Sequence, residues 1–136
     1  MAITTALTAC SKPSDEQTII GRSDIKIENG RLTPEALWAF GRLGDMQVSP
    51  DGKQIAYGVS YYSVPENRSN REIFVMNSDG SYAQQITQSA KSEYSARWVK
   101  NGQKIAFLTS ESGDVQLWEM NPDGTERTQI TTRAGG

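Results

Sequence analysis

The sequence predicts an all-β architecture: two four-stranded antiparallel sheets, preceded by a linker and a short helix. Three observations carry this reading. Pro-Asp-Gly punctuation occurs twice, at Ser49-Pro50-Asp51-Gly52 and Asn121-Pro122-Asp123-Gly124, with looser versions at Asn77-Ser78-Asp79-Gly80 and Val99-Lys100-Asn101-Gly102. From Met46 onward the apolar residues recur with the period of two expected of strands. Residues 46–87 also lie over residues 96–131 as an internal repeat, the first copy being the longer at 42 residues against 36.

The corners have a mechanism. Pro presets φ near about −65° at the second turn position, Asp tolerates the third, and Gly takes the left-handed conformation that closes a hairpin with a bulge. Asp51, Asp79 and Asp123 lack the ligand spacing of a calcium loop, so turn roles are expected for all three.

Along the chain, residues 1–31 read as a leader remnant followed by a polar linker. Residues 7–10, LTAC, resemble the lipobox of bacterial lipoproteins, in which the chain is cleaved before the Cys and its sulfur is acylated. The run SKPSDEQ after it suits a flexible tether. The expectation is lipidation of Cys10. The segment before it is short and carries no Lys or Arg where an export signal has a basic start and a longer apolar core. A start codon placed too late would account for that; the alternative is a chance match.

Residues 32–44 read as the helix. Thr33 suits the N-cap, Pro34 the first helical position and Glu35 the positive end of the dipole, while Gly41 and Gly44 serve as stops. Leu37 and Phe40, with Trp38 beside them, form its expected packing face.

Residues 45–91 make the first unit, with strands expected at about 46–49, 53–61, 71–77 and 82–87. Residues 92–136 make the second, with strands at about 95–99, 103–109, 114–120 and 126–131. GKQIAY (52–57) matches GQKIAF (102–107), REIFVMNSDGS (71–81) matches VQLWEMNPDGT (115–125), and QQIT (84–87) matches TQIT (128–131). The extra residues of the first copy fall mainly in YYSVPENRSN, read as an inserted loop over 61–71. Its Tyr61, Tyr62, Arg68 and Arg71 are the candidate contact surface. Ile73-Phe74-Val75-Met76 is apolar on both faces, which implies a sheet sandwiched between neighbouring sheets. Four-stranded units of this length, stacked face to face, are propeller blades. Trp98 and Trp118 are expected to pack between them. Two blades cannot close a ring of roughly four to eight, so the expectation is an incomplete β-propeller of TolB-like repeats that continues past Gly136.

Composition removes several function classes. With no His, neither a Ser-His-Asp nor a Cys-His arrangement can be completed within the chain, and no His-based zinc site exists. A single Cys excludes an internal disulfide and a Cys-cluster metal site. A net charge of −2, with 14 basic and 16 acidic residues scattered along the chain, gives no nucleic-acid footprint. No catalytic, metal or cofactor-binding residue is assigned, and no cofactor is expected.

LTPEALWAFGRLGDMQVSPDGKQIAY (32–57) resembles the start of mature bacterial serine peptidases of the prolyl oligopeptidase family, and RWVKNGQKIAFLTSESGDVQLWEMNPDGTERTQIT continues the match. The resemblance covers about residues 32–136 and is nearest to periplasmic dipeptidyl-peptidases of the type-5 kind. It implies a serine exopeptidase whose triad sits in a C-terminal α/β hydrolase domain, with the Ser in a Gly-x-Ser-x-Gly elbow. Gly58-Val59-Ser60-Tyr61-Tyr62 is as near as this chain comes to that elbow. The implied role of this segment is therefore accessory: a propeller that covers the hydrolase site and limits entry to short or unfolded peptides. The implied partners are the remaining blades and peptide substrates taken by the hydrolase domain, with membrane contact only through the lipid anchor, in the periplasm. A non-enzymatic TolB-like envelope propeller, binding other proteins, is the alternative. Asn67-Arg68-Ser69 matches a glycosylation acceptor, which carries no weight for a bacterial protein.

Overall fold

A computed structural model of the protein describes residues 17–134. A helix, α1 (Pro34–Ala39), leads into two four-stranded antiparallel sheets. The first holds β1 (Arg42–Val48), β2 (Gln54–Ser63), β3 (Arg68–Asn77) and β4 (Gln84–Gln85) in sequence order. The second holds β5 (Tyr94–Val99), β6 (Lys104–Thr109), β7 (Gln116–Met120) and β8 (Thr128–Gln129), with a 3-10 turn at Lys100–Gly102.

The repeat is written into the backbone as well as the sequence. Gly52 and Gly102 occupy equivalent corners at φ 72° and 85°, and Gly80 and Gly124 do so at 86° and 84°. Asp45 (φ 38°) and Ser95 (φ 56°) make equivalent bulges in β1 and β5, and Tyr82 (φ 53°) and Glu126 (φ 54°) follow equivalent turns. Left-handed backbone is costly for non-glycine residues. Its recurrence at matched positions marks a shared architecture rather than local accident.

Helix α1 opens as expected. Thr33 is extended (φ −96°, ψ 163°) and its hydroxyl accepts from the Ala36 amide at 3.2 Å, with Pro34 and Glu35 in the first turn. It is shorter than the 32–44 segment. Phe40 is already extended, and Gly41 lies so close to β2 that a Cβ there would come within 2.7 Å of Val59 Cγ1. Gly41 therefore ends the helix by close approach. Gly44 is no stop at all, since it pairs with Gly58 inside β1. The apolar face expected of the helix is half-exposed at Leu37 and Phe40, and the residue it buries is Ala36.

The outer strands are shorter than the pattern suggested. The left-handed Tyr82 and Glu126 keep the chain out of strand geometry until Gln84 and Thr128. The inserted segment corrects the reading in the other direction. It is a hairpin extension, not a loop: Tyr61 pairs with Asn70, Tyr62 with Ser69 and Ser63 with Arg68, and a turn over Val64–Asn67 closes the ladder. Two consecutive tyrosines favour strand, and Asn67, at φ 47°, supplies the left-handed corner.

The core lies between the sheets. Ala56, Ile73 and Val75 of the first sheet meet Ala96, Ile105, Phe107 and Met120 of the second, with Trp98 and Trp118 packed against them. The two sheets approach most closely along β5, which lies beside β1, β2 and β3.

Candidate functional site

Two regions gather chemistry-bearing side chains: a cleft beside the extended hairpin, and the polar junction between the sheets. In the cleft, the Arg42 guanidinium sits 4.5 Å from the ring centres of both Trp38 and Tyr62. The two rings meet edge to face at 5.4 Å. Such cation–π contacts are worth roughly 0.5–1 kcal/mol each at exposed sites. They hold α1 against the hairpin and form one wall of an open cleft of about 710 Å³, lined also by Ile20, Glu35, Val64 and Glu66. Of the candidate contact residues, Tyr62 lies in this cleft. Arg68 donates to the Thr18 carbonyl at 2.7 Å and pairs with Glu66 at 3.4 Å, tying the preceding segment to the hairpin. Tyr61 packs over Gly41, and burial raises its phenol pKa.

Arg71 belongs elsewhere. Its Nε donates to Ser60 Oγ at 2.9 Å and its Nη1 pairs with Asp45 at 3.1 Å, so it braces the bulge of β1. Beside it the chain leaving β4 runs along β3. The Glu93 amide donates to the Arg71 carbonyl at 2.8 Å, and the Arg71 amide donates to Ser92 Oγ at 3.1 Å. Across the junction, Trp98 Nε1 donates to the Gln47 carbonyl at 2.9 Å. Trp98 and Trp118 thus pack against the core, as expected.

The junction contains two acids the sequence reading did not single out. Glu72 and Glu93 are both fully buried. Glu72 Oε1 accepts from Asn70 Nδ2 at 2.7 Å and the Ser89 amide at 3.2 Å, and its Oε2 accepts from the Thr87 hydroxyl at 2.7 Å. Glu93 Oε1 accepts from Ser89 Oγ at 2.8 Å and Arg127 Nη2 at 3.1 Å, while its Oε2 is buried with no donor. Arg127 also pairs with the exposed Glu111 at 2.5 Å. Burial pushes the Glu72 carboxyl up to about 8, opposed by the Thr87 hydroxyl and reinforced by the Glu93 carboxyl.

The turn aspartates take the roles expected of them. Asp51, Asp79 and Asp123 accept from the hydroxyls of Ser49, Ser81 and Thr125, each at 2.6 Å, and from the amides of Lys53, Ser81 and Thr125 at 2.9–3.0 Å. The hydroxyl bond, first, and then the amide bond hold each carboxyl below the usual aspartate range. The LTAC motif and Cys10 lie outside the described residues. Among the described residues no helix is long and apolar enough to cross a membrane.

Comparison with known proteins bears on what these sheets belong to. No family model matches the sequence. The chain is 38% identical over 109 residues to dipeptidyl-peptidase 5 of Porphyromonas endodontalis, covering 80% of this chain and 16% of that protein. It is 46% identical over 86 residues to dipeptidyl-peptidase 5 of Porphyromonas gingivalis, covering 63% of this chain and 13% of that one. The chain thus spans about a seventh of the length of the curated relatives it matches. Among solved structures, the fold matches the acylaminoacyl peptidase of Pyrococcus horikoshii with a TM-score of 0.57 at 20% identity, over 70% of this chain and 14% of that one. It matches the β-propeller domain of the Trilobed protease of Pyrococcus furiosus with a TM-score of 0.53 at 19% identity, over 68% of this chain and 28% of that one. With two four-stranded sheets nested face to face, the chain is a propeller segment homologous to dipeptidyl-peptidase 5.

Proposed function

We propose that the chain supplies blades of a propeller that covers the active site of a serine hydrolase domain in its parent protein and restricts entry to short or unfolded peptides. The homology to dipeptidyl-peptidase 5 over most of the chain carries this reading. The absence of His and of a nucleophile elbow places the chemistry outside these residues. What these residues contribute is a wall: nested blades, and a hairpin that projects beyond the repeat with a cleft at its base.

The test uses the parent protein. A fluorophosphonate should label it, and the isolated chain should neither be labelled nor turn over a dipeptidyl substrate. Trimming the hairpin tip at Val64–Asn67 should leave dipeptidyl turnover within a few-fold of the parent, while cleavage of long, folded substrates rises by about tenfold or more. An unlabelled parent would leave a non-enzymatic envelope propeller. An unchanged ratio of long to short substrates would remove the gating role.

From the LTAC motif at residues 7–10 we also propose that the protein is periplasmic and anchored through an acylated Cys10. Palmitate labelling in cells should disappear in Cys10→Ala. Labelling that persists in the variant, or is absent in the parent, rejects the anchor.

A further inference from the structure

We propose that Glu72 and Glu93 hold one proton between them, forming a pH-sensitive latch at the junction of the two sheets. Four observations carry it. Both carboxyl groups are fully buried, and both converge on Ser89, whose amide donates to Glu72 Oε1 at 3.2 Å and whose hydroxyl donates to Glu93 Oε1 at 2.8 Å. Among the described residues one cation pairs with either carboxyl, Arg127, and it is shared with Glu111. Arg71, next to Glu72 in sequence, is committed to Ser60 and Asp45 instead. On β2 Glu72 pairs with the apolar Val59, and Tyr61, two residues along on the same face, has its phenol pKa raised by burial. Two buried carboxylates against half a guanidinium is an unfavourable balance, and such pairs retain a proton.

The second observation concerns an oxygen. Glu93 Oε2 is buried without a donor, which costs roughly 1–3 kcal/mol where it persists. The donors that reach the pair are taken: Asn70, Thr87 and the Ser89 amide on Glu72 and Arg127 on Glu93, while the single Ser89 hydroxyl proton is divided between Glu93 and the Lys91 carbonyl. A proton shared by the carboxyl groups supplies the missing donor and turns their repulsion into a hydrogen bond.

The third observation is an internal control. The repeat sets Gln116 at the position of Glu72 and Thr131 at that of Thr87. The geometry is the same. Thr131 Oγ1 donates to Gln116 Oε1 at 2.6 Å and accepts from the Leu117 amide at 3.0 Å, as Thr87 donates to Glu72 and accepts from the Ile73 amide at 2.8 Å. The Arg133 amide donates to Gln116 Oε1 at 3.1 Å, as the Ser89 amide donates to Glu72. The amide nitrogen of Gln116 adds a donor, which it directs at the Arg133 carbonyl. A carboxylate has no donor to offer; a protonated carboxyl has one. The second sheet therefore uses permanently the neutral form that the first sheet reaches by binding a proton.

The fourth is the direction of linkage. Burial lifts Glu72 from 4.5 to about 8, so the folded protein keeps a proton that the unfolded chain releases. The latch is at full strength below about pH 4.5 and is lost as the pH rises towards 8.

Infrared spectroscopy of the whole chain tests this directly. At pH 6 the parent should show the C=O stretch of one protonated carboxyl, absent in Glu72→Gln and titrating at lower pH in Glu93→Gln. Between pH 5 and 8 the unfolding constant of the parent should rise roughly ten- to a thousandfold more than that of Glu72→Gln. A parent with no protonated carboxyl at pH 6 overturns the proposal whether or not either variant folds. Equal pH slopes for the parent and a folded Glu72→Gln overturn it as well.

Discussion

Ile55, Tyr57, Phe74 and Met76 of the first sheet are the repeat equivalents of Ile105, Phe107, Trp118 and Met120 of the second. The cross-strand pairs are also equivalent: Ile55 with Met76 and Tyr57 with Phe74, Ile105 with Met120 and Phe107 with Trp118. Their surroundings differ. Ile105, Phe107 and Met120 are fully buried, while all four residues of the first sheet are half-exposed. The strands, registers and residue types being the same, the difference comes from the neighbour: Ala56, Ile73 and Val75 cover the second set, and among the described residues no sheet covers the first. In a stacked-repeat fold, burial is a property of the interface between units more than of the unit.

Substitutions at matched positions sharpen this comparison. The largest expected effect is at the covered pair. Phe107→Ala opens a cavity in the nested core and should cost about 4 kcal/mol, while Tyr57→Ala, on the uncovered face, should cost about 1–2 kcal/mol. Urea unfolding at high dilution reads both, and equal costs would mean that the sheets do not depend on each other.

Next come the corners. A Cβ on Gly124 would lie 2.3 Å from the Ile86 carbonyl of the first sheet, at a left-handed φ of 84°. Gly80, its repeat equivalent, has nearly the same φ, 86°, but open space around it. Gly124→Ala should cost about 3 kcal/mol and Gly80→Ala about 1 kcal/mol. The smallest difference is at the latches. Thr87→Val strands a buried amide and a buried carboxyl and should cost about 2 kcal/mol. Thr131→Val, in a half-buried setting, should cost about 1 kcal/mol.

How much of this was legible in the sequence follows from where the signals lie. The repeat, the corner glycines, the turn aspartates and the helix N-cap were readable because each rests on a local backbone demand that few residues meet. Tyr82 and Glu126 gave no warning of left-handed backbone, so β4 and β8 were drawn too long. The hairpin extension looks like a loop in sequence because Pro65 and Asn67 dominate its composition. The strand signal there is two tyrosines whose partners, Ser69 and Asn70, are weak strand formers. Glu72 and Glu93 were passed over because acids are ordinarily solvated. The alignment of Glu72 with Gln116, and of Thr87 with Thr131, held the signal that a polar side chain at this position is turned inward.

The central claim is that the two sheets are blades, shaped to be covered on both outer faces. Leu43, Met46 and Val48 on β1, together with Val115 just before β7 and Ile130 just after β8, are each about half or more exposed. Left in water, such side chains each forfeit on the order of 1.5–3 kcal/mol, against a net domain stability of roughly 5–15 kcal/mol. The direct measurement is binding of a hydrophobic dye such as ANS by the purified 136-residue chain, with its mass followed across concentration by light scattering. The account predicts strong dye fluorescence and an apparent mass that rises with concentration as outer faces pair. A monodisperse monomer that binds no dye and unfolds in one sharp transition would contradict it.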